Sequence, residues 1–106
     1  MKDIGQIFTS GLWQVKKGKE KEFIEAWQQF ATWTGATQKG VGEGRLLQDL
    51  EHSDRFISFG PWENEDRIAE WRSRPEFAAF VKMARELCED LQPRTLKVVG
   101  YSSPNS

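Results

Sequence analysis

The organisation of the chain turns on one segment, which reads Phe59-Gly60-Pro61-Trp62-Glu63-Asn64-Glu65-Asp66-Arg67-Ile68-Ala69-Glu70-Trp71-Arg72. Its first residues are typical of the end of a strand, and its later residues are typical of a short helix. Asn64 is a favoured helix-capping residue, and the two acids after it suit the positive end of the helix dipole. The segment therefore predicts a strand that passes directly into a helix, with Trp62 and Trp71 framing the junction.

Upstream of this junction, two β-rich stretches predict a hairpin. Residues 45–50 and 55–62 contain the strand formers, and the polar turn Glu51-His52-Ser53-Asp54 separates them. The glycines of residues 35–44 predict a loop before the hairpin.

Downstream of the junction, Ser73-Arg74-Pro75-Glu76 has the spacing of a capping box, with proline in the first turn. A helix over about 76–91 is expected to follow, and Pro93 is expected to end it. Residues 96–101 then predict a last strand.

The N-terminal part of the chain predicts one strand and one helix. Residues 4–15 are rich in β-formers, and Gly11 within them suggests a bulge or a close backbone approach. Aromatic residues at helical spacing predict a helix over about 19–34, with Gly35 as its stop.

The order of elements is β-α-β-β-α-β, with the second helix broken in two, over one domain of residues 1–106. This order predicts an α+β, ferredoxin-like fold, in which a four-stranded antiparallel sheet has both helices on one face. The other face also receives apolar residues, and an exposed apolar area of that size normally belongs to an interface. The set expected there is Leu12, Trp13, Leu46, Leu47, Ile57 and Val98.

Composition narrows the class of protein. The net charge is −1, so the positive field that would hold a nucleic acid is absent. No stretch has the apolar length of a membrane span, and no signal-peptide pattern occurs near Met1, which makes the cytoplasm the expected location. The single cysteine, Cys88, excludes an internal disulfide, and its place on the apolar side of a predicted helix favours inert packing.

With this order of elements, the chain resembles the antibiotic biosynthesis monooxygenase family, a branch of the dimeric α/β-barrel superfamily. The matching pieces occur in the family's order, and they are Val15–Phe23 with Trp27, Arg45–Asp49, Arg55–Phe59, Pro61–Glu63 and Trp71–Phe77. The resemblance implies a homodimer that packs sheet against sheet. It does not imply one activity, because the superfamily includes cofactor-independent monooxygenases, haem-degrading enzymes and small isomerases.

Family members have a cleft between the sheet and the helices of each subunit, and the resemblance implies that Trp62 lies near it. Trp33 and Trp71 could contribute from the helices, although packing in the core or at its edge is an alternative for all three. An indole at position 62 could stack on a flat ligand and offer its N–H to a polar substituent. Trp27 is centred on its helical stripe and is expected in the core, whereas Trp13 could belong to the core or to the dimer interface.

No residue pattern predicts a metal, haem or flavin cofactor. His52 is the only histidine, and it lies in the predicted polar turn without a second ligand. The haem-degrading relatives use a histidine on the long C-terminal helix, and residues 76–91 contain none. The glycines of Gly40-Val41-Gly42-Glu43-Gly44 precede a strand, so the phosphate cradle that requires a following helix is not predicted, and a loop over the cleft is the alternative.

Arg45 and Asp49 share one strand face and could supply polar contacts to a ligand, or form a surface or interface ion pair. The expected function is cofactor-independent monooxygenation of a small aromatic, phenol-like or quinol-like molecule, with Glu63 and Asp49 as proton acceptors suggested by location alone. The alternatives are a non-catalytic dimeric module for ligand binding or stress response, and an isomerase or lyase that acts by proton transfer.

Overall fold

The computed structural model describes residues 3–104 and contains four strands and three helices. The elements are β1 (Ile7–Val15), α1 (Glu20–Thr37), β2 (Arg45–Gln48), β3 (Arg55–Trp62), α2 (Glu65–Arg72), α3 (Pro75–Leu87) and β4 (Cys88–Lys97).

The strands form one antiparallel sheet in the order β2-β3-β1-β4. The two central strands are β1 and β3, and the predicted hairpin joins β2 to β3. The three helices pack on one face of the sheet. The ferredoxin-like α+β fold is therefore confirmed, including the interruption between α2 and α3.

Alternation along the central strands separates an inner face, toward the helices, from an outer face. Along β3, Phe56, Ser58 and Trp62 are buried, whereas Arg55 before Phe56 and Ile57 after it are exposed. This period of two is what a strand imposes on its side chains.

One end of the layer between sheet and helices is closely packed, and we call it the filled end. Its buried residues are Val15, Phe23, Phe56, Leu87 and Cys88. The ring of Phe23 lies 5.3 Å from that of Phe56 and 5.1 Å from that of Trp13. The indole of Trp13 therefore belongs to the inner layer, which resolves the choice between core and interface for this residue.

The first helix is longer than predicted, because it passes through Gly35 and ends at Thr37. Gly35 has helical backbone, and the N–H of Gln38 still bonds to the carbonyl of Thr34. A glycine inside a helix costs only about 0.5–1 kcal/mol, which the burial of Thr34 and its hydrogen bond from the Trp71 indole can offset.

The end of α3 is the largest correction to the predicted elements. The helix ends at Leu87, and β4 begins at Cys88. Leu91 therefore lies in a strand and not in the helix, and Pro93 lies within that strand and does not end the helix. Leu91 pairs with Trp13 across β1 and β4. Proline is tolerated because β4 is an edge strand, where a missing N–H need not interrupt a ladder on both sides.

The two predicted helix caps have different outcomes. Asn64 caps α2, because its Oδ1 accepts the backbone N–H of Arg67 at 3.1 Å. The capping box at Ser73 does not form, since the Ser73 hydroxyl donates to the carbonyl of Glu70 at 2.6 Å and the residue closes α2. Arg74 then precedes α3 without a side-chain cap.

The outer face is apolar, although its membership differs from the prediction. Leu12, Leu47 and Ile57 are on it and exposed, at 39%, 50% and 47% of their surfaces, and Leu96 on β4 joins them. Trp13 and Leu46 instead pack against the filled end. No helix among residues 3–104 is long and apolar enough to cross a membrane.

Candidate functional site: an aromatic cavity between sheet and helices

The other end of the same layer encloses a cavity of about 530 Å³, and we call this region the cavity end. Its walls come from the inner face of the sheet, from all three helices and from the loop before β2. Small-molecule sites in proteins usually have volumes of ~300–1,000 Å³, so this cavity has a suitable size.

Aromatic rings form most of the wall. The ring of Phe30 stacks on that of Phe80 with centroids 4.2 Å apart, and the Trp71 ring lies 5.5 Å from Phe30. Trp71 also lies 4.9 Å from Trp62 and meets Phe77 edge-on at 4.7 Å. Such offset and edge-on pairs hold flat rings in place, so the wall is preorganised for another flat ring.

Three tryptophans of this wall are fixed by hydroxyl groups. The Nε1–H of Trp62 donates to Thr9 Oγ1, and that of Trp71 donates to Thr34 Oγ1. The Nε1–H of Trp13 donates to Ser58 Oγ. Each bond is 3.0 Å long, and all three residues that accept them line the cavity.

These bonds change the role expected for Trp62. Its N–H is not available to a ligand, because Thr9 accepts it, and only 2% of the residue's surface is exposed. Burial of an unpaired indole N–H would be costly, and the hydroxyl removes that cost. Trp62 can therefore contribute a ring edge to the cavity but not a hydrogen-bond donor.

Gly11 provides the space in which the Trp13 indole lies. A Cβ at this position would come within 2.7 Å of the Trp13 ring. The group that approaches Gly11 is thus a side chain and not a second backbone segment, and the irregularity in β1 falls at Gln14 and Val15.

Two arginines stand at the rim beside the edge strand β4. Arg72 donates from Nη2 to Thr95 Oγ1 at 2.9 Å, while Arg85 comes from the last turn of α3. Within residues 3–104, neither guanidinium has a carboxylate within 4.0 Å. The rim is therefore positively charged.

The residues predicted for a ligand pocket do not all meet at this cavity. Trp62 and Trp71 line it. Trp33 is half-buried and stacks on Phe30 at 5.7 Å, but it does not line the cavity. Arg45 is exposed on β2 and borders a separate, smaller depression of about 340 Å³.

Arg45 and Asp49 do not pair with each other. Arg45 lies 3.5 Å from Glu43, and Asp49 Oδ1 accepts the backbone N–H groups of Glu51 and His52 at 2.8 and 3.0 Å. Those two backbone bonds are the main reason that the pKa of Asp49 is lowered. Asp49 therefore stabilises the hairpin turn, and neither it nor Glu63 lines the cavity.

The glycine-rich loop is attached to the end of β3. The N–H of Gly42 bonds to the Pro61 carbonyl, and the N–H of Glu63 bonds to the Gly40 carbonyl. Gly42 and Gly44 line the cavity, so the loop forms part of its wall. Gly40 has φ of +81°, a conformation that favours glycine.

The remaining chemically interesting side chains lie elsewhere. Burial raises the pKa of the Cys88 thiol to about 11, which fits the inert packing predicted for it. His52 is exposed in the hairpin turn. Residues 3–104 contain no group of three His, Cys, Asp or Glu side chains placed to hold a metal ion.

The sequence interpretation missed the hydroxyl partners Thr9, Thr34 and Ser58 and the rim residue Arg85. Ser58 alternates with apolar residues toward the inner face, and Thr34 lies on the apolar stripe of α1. A polar residue at a position predicted to be buried is a signal that a partner such as an indole lies opposite.

Comparison with known proteins agrees with this architecture. The sequence profile described as antibiotic biosynthesis monooxygenase matches residues 7–83, which run from β1 through most of α3. The chain belongs to this family. Its resemblance to the family, inferred above from short motifs, is therefore confirmed.

Solved structures with the same fold are distant in sequence. SnoaB from Streptomyces nogalater, a cofactor-independent oxygenase, superposes with a TM-score of 0.83 at 17% identity, over 95% of this chain and 99% of that one. A candidate antibiotic biosynthesis monooxygenase from Nitrosomonas europaea gives 0.80 at 14% identity, over 90% and 91% of the two chains. One from Bordetella bronchiseptica gives 0.77 at 21% identity, over 90% and 98%. No curated protein matches the sequence significantly.

Proposed function

We propose that the protein is a cofactor-independent monooxygenase that binds a small phenol-like or quinol-like arene in the aromatic cavity. The observation that carries the proposal is the ring-lined space of about 530 Å³ in a chain of the monooxygenase family. The similarity to SnoaB supports the fold on which such a site would be built.

In the simplest such reaction a phenol carbon para to the hydroxyl loses its hydrogen and gains one oxygen atom from dioxygen. That hydrogen and the hydroxyl hydrogen leave as water with the second oxygen atom, and the ring becomes a quinone. The arene supplies all four electrons that dioxygen requires, so no further reductant enters the balance.

The chain's contribution would be orientation and exclusion of water. The stacked rings of Phe30, Phe80 and Trp71 can hold a flat substrate in one plane. Negative charge that develops during the reaction is stabilised in an apolar site only where fixed hydrogen-bond donors face it. Within residues 3–104, the side chains that line the cavity include no carboxylate or imidazole, so a proton acceptor in the wall is not part of the proposal.

That same lack of a base among the lining residues distinguishes the alternatives. An isomerase or lyase that acts by proton transfer needs an acid or base at the reacting carbon. Because the lining side chains of residues 3–104 supply no carboxylate or imidazole, this activity is disfavoured. A non-catalytic module that binds the same aromatic ligand needs none, and it remains the second candidate.

Oxygen uptake tests the proposal. The purified protein is mixed with a panel of phenols and acidic naphthols that carry hydrogen at the para carbon, in an oxygen electrode with and without catalase. We expect uptake above the autoxidation rate for at least one arene, with one dioxygen molecule consumed per quinone formed and the same uptake when catalase is present. Tight binding of an arene without uptake would favour the non-catalytic module.

We also propose a homodimer that packs outer face against outer face, since Leu12, Leu47, Ile57 and Leu96 would otherwise remain exposed. Light scattering at micromolar concentration should give twice the mass of one chain. Leu47→Asp with Ile57→Asp should give single chains, and a wild-type protein of single-chain mass would contradict the proposal. A cytoplasmic location stays a prediction.

A further inference from the structure

The cavity is open to solvent on the side of the edge strand β4. Thr95 lies on the inner face of this strand, because it pairs with Thr9, and yet it is exposed. Pro93, two residues earlier on the same face, is exposed as well. Inner-face residues of the central strands, such as Val15 and Trp62, are instead buried. The helices therefore cover the centre of the sheet but not the far part of β4, where Pro93 and Thr95 line the cavity.

Helix α3 and strand β4 border a gap that is closed at one end by the chain itself. The helix ends at Leu87 and the strand begins at Cys88, and both residues are buried at the filled end. The helix rises about 20 Å over its length, and the strand rises about 23 Å from Cys88 to Thr95. Thr95 thus lies level with the start of α3 and the end of α2, at the other end of the gap.

One side-chain hydrogen bond spans this other end. Arg72, in the last turn of α2, donates from Nη2 to Thr95 Oγ1 at 2.9 Å. Within residues 3–104, it is the only hydrogen bond between α2 and β4, and no ion pair joins them. Both residues are exposed, so water can take the place of either partner and the bond opens at little cost.

The opposite side of the cavity is closed by backbone hydrogen bonds. The N–H of Gly42 bonds to the Pro61 carbonyl at 2.9 Å, and the N–H of Glu63 bonds to the Gly40 carbonyl at 2.7 Å. An opening on that side requires these bonds to break and the loop to move. An opening beside β4 requires only the rotation of an exposed side chain, which is a much faster motion.

We propose that arenes enter the cavity through the gap between α3 and β4, and that the Arg72–Thr95 hydrogen bond is a strap across this entrance. The inference rests on the aromatic binding site proposed above and adds the route by which that site is reached. The strap opens when the Arg72 side chain rotates toward solvent. It closes over the empty and the occupied cavity alike, so it slows entry and release by the same factor and leaves the dissociation constant unchanged.

The rates of binding test the strap. The probe is 4-nitro-1-naphthol, whose para carbon carries a nitro group and no hydrogen, so that it binds without reacting. Stopped-flow quenching of indole fluorescence measures both rate constants, because Trp13, Trp62 and Trp71 line the cavity. Thr95→Val removes the acceptor without a change of charge and should raise both rate constants about threefold, with a dissociation constant within twofold of the wild-type value. Thr95→Ser keeps the hydroxyl and should keep the wild-type rates.

The arginine variants need a control for charge. Arg85→Met removes an equal charge from the rim and leaves the strap in place. Compared with it, Arg72→Met should be about threefold faster in both directions. The combination of Arg72→Met with Thr95→Val should be no faster than Arg72→Met alone, because both changes remove the same bond.

A covalent strap gives the converse test. In a Cys88→Ser background, Arg72→Cys and Thr95→Cys are joined by a short bismaleimide, which should slow association at least tenfold. The same protein with both cysteines capped separately by N-ethylmaleimide should associate no more slowly than the wild-type protein. Melting temperatures of every variant separate lost binding from lost folding.

The outcomes distinguish this inference from the proposed function. If the crosslinked and capped proteins associate at the same rate, arenes enter elsewhere, and the inference is wrong while the aromatic cavity stands. It is also wrong if Thr95→Val changes the dissociation constant without accelerating both steps, since Thr95 is then a binding contact only. If 4-nitro-1-naphthol does not bind the wild-type protein, the proposed function fails and the inference fails with it.

Discussion

The filled end and the cavity end are two halves of one layer, and both are built largely from aromatic residues. At the filled end, Phe23 and Phe56 contact each other and pack with aliphatic side chains, and both are buried. At the cavity end, Trp71 stacks on Phe30 and lies tilted against Trp62, and a space of about 530 Å³ persists beside these rings. Trp13 lies between the two ends, with Phe23 on one side and Phe80 on the other.

The difference arises from how the rings are anchored. At the filled end, the rings of Phe23 and Phe56 carry no polar group, so packing against neighbouring side chains alone sets their positions. At the cavity end, three indoles are tied to hydroxyls on the sheet and on α1, so they cannot collapse inward without losing a hydrogen bond. An aromatic-rich layer thus keeps an internal cavity where its indoles are hydrogen-bonded to residues of the sheet and of α1.

The largest effect should come from removing a ring at the filled end. Phe23→Ala should lower the free energy of unfolding by about 3–5 kcal/mol, because it leaves an apolar cavity around a residue with no exposed surface. Phe77→Ala at the cavity end should cost less than half as much, since Phe77 already borders open space. Urea unfolding measures both, and equal losses would contradict the distinction between the ends.

A smaller effect is expected from releasing one anchor. Trp62→Phe keeps most of the ring and leaves Thr9 without its donor, so it should cost about 1–2 kcal/mol of stability. Thr9→Val should cost a similar amount, and the double variant should cost less than the sum, with a coupling of about 0.5–1.5 kcal/mol. Strict additivity in this cycle would show that the bond does not contribute.

Ligand affinity should separate two tryptophans that sequence alone grouped together. Trp71→Phe should weaken arene binding roughly tenfold, because Trp71 contributes wall area and the bond to Thr34. Trp33→Phe is the control, since its indole stacks behind Phe30 outside the cavity lining, and it should change affinity by less than twofold. A larger effect of Trp33→Phe on arene affinity would indicate that the arene binds outside this cavity.

The smallest effect concerns Cys88 at the filled end. Burial raises its pKa to about 11, so the folded protein holds the thiol proton at pH values where an unfolded thiol loses it. Unfolding is therefore favoured as the pH rises through about 9 toward 11, and stability should fall there. Cys88→Ser should flatten that fall, and a thiol reagent at pH 8 should label Cys88 in the wild-type protein only after urea unfolds it.

Much of the fold could be predicted from local sequence signals. The hairpin of β2 and β3, the cap at Asn64 and the break between α2 and α3 each depend on neighbouring residues, and each was predicted. The end of α3 was not, because the apolar stripe continues through Leu91 and proline suggested a helix stop. The pairing of Leu91 with Trp13, which is a tertiary contact, determined the outcome.

The site was less accessible to sequence reasoning. The junction at Trp62 lies at the cavity, but Trp33 and Arg45 could be placed only once the packing of α1 and the exposure of β2 were known. The hydroxyl that pairs with each indole comes from a residue 37 to 53 positions away, and no local pattern announces such a bond.

The most direct test is the ¹H–¹⁵N spectrum of the five indole N–H groups during titration with 4-nitro-1-naphthol, each signal assigned from a Trp→Phe variant. We expect the signals of Trp13, Trp62 and Trp71 to shift together and saturably, because these indoles and the residues that accept their hydrogen bonds line the cavity. The signal of Trp33 should stay in place. A spectrum in which the three signals do not move, or in which Trp33 alone responds, would contradict the claim that the cavity is the binding site.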